Sequence, residues 1–60
     1  MNMADLLQKR AAYLEAANNL KTKAFNLKTG EVASKDNYTE FMKAIAKANG
    51  VAGLINEQVS

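Results

Sequence analysis

The sequence predicts an all-α fold, an antiparallel helical hairpin that packs further as an oligomeric bundle. Three observations lead there. Two amphipathic stretches of similar reach flank a short polar joint, FNLKTGEV at residues 25 to 32, and no proline interrupts either of them. A chain of 60 residues forms a single small domain, residues 1–60, and at such a size folding removes only roughly 60% of the surface that the unfolded chain exposes. The sequence also has no Cys and no His, which removes disulfides and the commonest zinc and haem ligands together. Association with other chains is then the expected support.

The first helix is expected over about residues 3–28. Leu6, Tyr13, Leu20 and Leu27 fall seven apart, with Met3, Ala17 and Ala24 interleaved, while Asp5, Gln8, Glu15, Asn19, Thr22 and Asn26 gather on the opposite side. Leu7 and Leu14 widen the apolar side beyond a two-position seam, which suits a helix with more than one neighbour. Asn2 is placed to cap the first turn. Arg10, Lys21 and Lys28 stand in or beside the apolar arc and are expected to snorkel from its edges.

The joint has two readings. In the helical one, Leu27 keeps the seven-residue spacing, Lys28 occupies the last turn and Gly30 is the stop. In the alternative, an α+β arrangement of helix, β-hairpin (about residues 24–34) and helix, Asn26 starts an Asx-type turn, Gly30 takes a positive φ, and Phe25 faces Val32. An isolated two-stranded hairpin is poorly stable in water, which favours the first reading. Lengths agree with it, since at 1.5 Å per residue the two arms span roughly 39 and 34 Å.

The second helix is expected over about residues 36–49, with Tyr38, Phe41, Met42, Ile45 and Ala48 or Ala52 as the apolar stripe and Asp36, Glu40, Lys43 and Lys47 facing solvent. Ser34 or Asn37 serves as its N-cap, and Asn49-Gly50 offers a stop. A short third helix, about residues 51–58, follows with Leu54, Ile55 and Val59, loosened by Gly53.

Sites of chemistry are not expected. Catalysis draws chiefly on His, Cys, activated Ser or Lys, and carboxylates paired in a cleft. Ser34 is better explained as a cap, Asp36 and Glu40 beside Lys43 as a solvated face, and KTG lacks the spacing of a phosphate-binding loop. The expectation is a non-enzymatic module with no cofactor, no metal and no small-molecule substrate. The opening MNMADLL lacks a secretion pattern and no window approaches a membrane span, so a cytoplasmic setting is expected.

What remains is binding. Of the 48% hydrophobic residues, eleven are alanine, which leaves a thin core for a lone molecule. Leu6, Leu7, Leu14, Leu20, Phe41, Met42 and Ile45 are therefore expected at an interface with copies of this chain or with a larger protein partner. The net charge of +2 does not announce a nucleic-acid protein. Lys21, Lys23 and Lys28 lie in a stretch without carboxylates and are the candidate phosphate contacts, although cations near a helix end also favour its negative pole. With that lysine-rich face, the alternative function is a small nucleic-acid-binding regulatory protein, similar in size and helical-hairpin shape to the plasmid RNA-binding protein Rop.

One stretch carries a sequence likeness. ADLLQKRAAYLEAANNL, residues 4–20, resembles the opening helix of the scaffolding or delta region at the start of many tailed-phage capsid proteins. The resemblance implies a role in particle assembly through helix–helix contacts, with a virion-associated location and no catalytic residue to carry over. The Phe25 to Ser34 joint departs from the long acidic helix that such a region continues into. The alternative layout of helix, β-hairpin and helix looks like the small phage head-completion protein of the W type, by order of elements.

Overall fold

Asn2 opens the first helix. Its backbone is extended, and its Oδ1 accepts the amide of Asp5 at 2.9 Å, satisfying one of the donors that a helix start leaves without an internal partner. Asp5 adds a negative charge at the positive pole. The helix that follows, α1, is Met3–Ala24 in the computed structural model, which describes residues 2–59.

The helix stops at Ala24 and does not continue to residue 28 as the seven-residue spacing of Leu27 suggests. Phe25 turns to φ −120°, ψ 147° while its amide still closes the last helical bond to Lys21 O at 3.1 Å. Asn26 provides the physical reason. Its side-chain Oδ1 accepts the amides of Lys28 and Thr29 at 2.9 and 3.4 Å, an Asx turn that competes with helix continuation. Gly30 then takes φ +77°, the left-handed region where a side chain is strained, and its amide returns to Asn26 O at 2.7 Å. Glu31 N donates to Thr29 Oγ1 at 3.2 Å.

From there the chain runs back along itself. Asn26 N donates to Glu31 O at 2.8 Å and Ala33 N to Ala24 O at 2.7 Å, which flank a single antiparallel bridge between Phe25 and Val32. The joint thus has the turn chemistry and the Phe25–Val32 facing of the hairpin reading, yet it stops at one bridge, and no strand forms among the described residues. Ala24 O also accepts Ser34 N at 3.3 Å, so a helix-end carbonyl with no helical partner receives two donors from the returning chain.

Ser34 caps the second helix, α2, Lys35–Val59. Its Oγ accepts Asn37 N at 3.3 Å and its carbonyl accepts Tyr38 N at 2.9 Å. The expected break at Gly50 and the separate third helix over 51–58 are absent: α2 runs unbroken for 25 residues, and of the glycines only Gly30 has a positive φ. A glycine within a helix costs about 1 kcal/mol relative to alanine. Here the buried face of Ala44, Ala48 and Val51 continues past Gly50, and packing along it outweighs that cost.

The two helices pack antiparallel. Phe25 at the end of α1 meets Tyr38 and Phe41 near the start of α2, Lys47 Nζ sits 5.9 Å from the Tyr13 ring centre midway, and Leu6 lies beside Leu54 at the far end. The buried seam consists of Leu6, Ala17 and Ala24 against Ala44, Ala48 and Val51. Alanine at the contact lets helix axes approach toward the near end of the usual range of roughly 8–10 Å. The result is a slab one helix pair thick, 40 × 18 × 16 Å.

Candidate interaction surface

With α1 and α2 facing each other through the alanine seam, the remaining apolar residues are located by rotation. Each helical residue turns by about 100°. Leu7 and Leu14 therefore stand roughly a quarter turn to one side of the line through Leu6, Ala17 and Ala24, and Ile45 and Ala52 stand a quarter turn to one side of Ala44, Ala48 and Val51, with Met42 further round. In an antiparallel pair of right-handed helices these two displacements fall on the same flank. Leu7, Leu14 and Met42 are 50%, 38% and 46% exposed, whereas Ile45 and Ala52 are half-buried. One long side of the slab thus carries apolar side chains from both helices.

The residues expected at an interface divide accordingly. Leu7, Leu14 and Ile45 share this flank, and Met42, about 150° round from the seam, faces mostly away from α1. Leu6 is not part of the flank: at 1% exposure it is the one large side chain among the described residues that is fully buried in the chain's own core, and it is unavailable to a partner. Leu20 and Phe41 are half-buried, Phe41 edge-to-face with Phe25 at 5.5 Å and 90°. Seven-residue spacing alone does not separate Leu6 from Leu7. The partner helix selects Leu6, and the neighbouring leucine is left outside.

The flank carries cations close to the seam and, among the helical residues described, no carboxylate. Arg10 and Lys21, both exposed, lie between Leu7 or Leu14 and the seam, as their place beside the apolar arc predicted. The helical carboxylates Asp5, Glu15, Asp36, Glu40 and Glu57 point by the same rotation to the other flank or outward, where Glu40 Oε1 pairs with Lys43 Nζ at 3.4 Å. Lys21 and Lys23 are exposed in the last turn of α1 and Lys28 in the joint, so the three candidate phosphate contacts gather at one end of the slab, the end that also holds the Phe25, Tyr38 and Phe41 rings.

Several contacts lie outside the sequence reading. Tyr13 under Lys47 belongs to a cation–π pair, and Phe25 is the hub of the aromatic cluster. Leu54 and Val59 are exposed, and Leu54 with Leu6, Glu57 and Gln58 lines a shallow open groove at the far end. The i,i+3 relation of Tyr38 to Phe41, together with a facing Phe25 in the hairpin reading, was the available signal for the aromatic cluster.

Among the described residues no group of three or more His, Cys, Asp or Glu is positioned to hold a metal ion, and no helix is long and apolar enough to cross a membrane. The chain matches no known family, no curated protein and no solved structure.

Proposed function

We propose that this chain is a non-enzymatic assembly module that works by protein–protein contact through its apolar flank. One observation carries the reading: Leu7 and Leu14 stay exposed on the side where Ile45 and Ala52 also emerge, while the seam between the helices is filled largely by alanine. Contiguous exposed apolar surface on a small protein marks contact with another macromolecule, and the groove beside Leu6 is open to solvent and does not enclose a substrate. The likeness of residues 4–20 to the phage delta-region helix favours particle assembly as the setting of that contact, in the cytoplasm or on the virion.

Site-specific photo-crosslinking in cells producing the protein tests the reading. A photoreactive residue at position 7 or 14 is expected to give protein adducts, and one replacing the outward Glu15 is not. Equal yields at the three positions, or none at 7 and 14, would sink it. A second reading, nucleic-acid binding, has the clustering of Lys21, Lys23 and Lys28 at one end in its favour. It predicts adducts to RNA or DNA from position 28, and binding that weakens steeply with salt.

A further inference from the structure

We infer that the occupant of the flank is an acidic amphipathic helix of another protein, lying in the groove between α1 and α2 with its carboxylates on Arg10 and Lys21. The inference rests on the interaction-surface reading above and adds the chemistry of the partner. Its first support is that these two cations have no anion of their own. On a helix, side chains three and four positions apart are neighbours. For Arg10 those are Leu6, Leu7, Tyr13 and Leu14, and for Lys21 they are Ala17, Asn18, Ala24 and Phe25, with no carboxylate in either set. Across the groove α2 places Ile45 and Ala52 on the same flank, and these are uncharged too. Neither cation belongs to an ion pair among the described residues.

The opposite flank differs. There Lys9 stands one turn from Asp5, and Lys43 pairs with Glu40 at 3.4 Å. What distinguishes the apolar flank is positive charge beside exposed leucine with no anion on either helix, and charge complementarity then calls for a partner that brings both carboxylate and apolar groups.

Position selects the partner's shape. By rotation Arg10 and Lys21 point about 50° from the seam and Leu7 and Leu14 about 90°, so the cations line the groove while the leucines form the ridge beside it. A flat surface such as a bilayer rests on the ridge, whereas a rod enters the groove, and two helices with axes roughly 8–10 Å apart offer a third helix such a trough. The cations are eleven residues apart, about 16 Å along α1, so a helix lying in the groove meets both with carboxylates about three turns apart. Leu14 and Ile45 lie at the level between them, since Lys47 sits over Tyr13, and receive the partner's apolar side chains. A nucleic acid has phosphates but no apolar group for these two residues, and a second copy has no carboxylate on this face.

The photo-crosslinking assay tests this when repeated with charge variants. With the photoreactive residue at position 14, the protein adduct formed in cells should fall at least about tenfold when Arg10→Gln and Lys21→Gln are combined, and should survive Arg10→Lys. Mass spectrometry should map it to a partner segment with Asp or Glu about eleven residues apart. Both cations are exposed, so far-UV circular dichroism of the double variant should match the parent chain, which separates lost contact from lost fold. Sodium chloride added to opened cells before irradiation should lower the yield of the unaltered chain as well. An adduct that neither glutamine nor salt reduces overturns the acidic helix and leaves the interaction-surface reading standing, as does an adduct to a second copy or to a segment without carboxylates. Adducts to nucleic acid or lipid alone, or none at 7 and 14, remove both.

Discussion

The two ends of the slab are held by different physics. At the joint, Phe25 lies edge-to-face with Tyr38 and Phe41, both at 5.5 Å, and the backbone from Ala24 to Ser34 is laced by hydrogen bonds of the turn and its single bridge. At the far end Leu6 and Val51 are, among the described residues, the buried ones larger than alanine, and a groove opens beside Leu6. The difference shows how a helical hairpin this small is fastened by rings and backbone bonds at its turn and by a buried leucine at its mouth, with alanine setting the spacing between.

If that contrast is right, the largest loss comes from the joint. Phe25→Ala should destabilise by about 3 kcal/mol, a large part of the few kcal/mol available to a chain of this length, and chemical denaturation should find it partly unfolded in buffer. A loss under 1 kcal/mol would mean that the aromatic cluster does not hold the turn. Leu6→Ala should cost about 2 kcal/mol, at the low end for a buried leucine because the open groove lets neighbours relax into the gap. Should it prove costlier than Phe25→Ala, the contrast reverses.

Gly30→Val should cost more than about 1 kcal/mol. A Cβ there meets nothing within 4 Å, so the penalty is backbone strain alone, and an unchanged thermal midpoint would show that the turn tolerates another conformation. The smallest change has the opposite sign. Gly50→Ala, where a Cβ again finds open space, should stabilise by about 0.5–1 kcal/mol through helix propensity. A loss at this position would indicate that the unbroken α2 is not the solution conformation.

Much of this was legible from local chemistry. Asn2, Asn26, Gly30 and Ser34 each act through their own backbone neighbourhood, and the sequence reading assigned each a role that the structure contains. The boundaries that failed depend on competition at longer range. Leu27 continues the apolar spacing, but Asn26 captures the amides that a longer helix would need. Gly50 has the look of a stop, yet Ala48 and Val51 on either side of it are held against α1, and a local signal does not contain that packing. The flank needed the partner helix, since only packing decides that Leu6 turns inward and Leu7 outward.

The aromatic arrangement has a practical corollary. The protein has two tyrosines and no tryptophan. Tyr38 touches Phe25 in the cluster, and Tyr13 lies under an ammonium group in the middle of the slab. Each phenol is therefore a native optical reporter for a different stretch of the molecule, and near-ultraviolet signals from single Tyr→Phe variants would follow the two stretches separately as the protein melts, with no label attached.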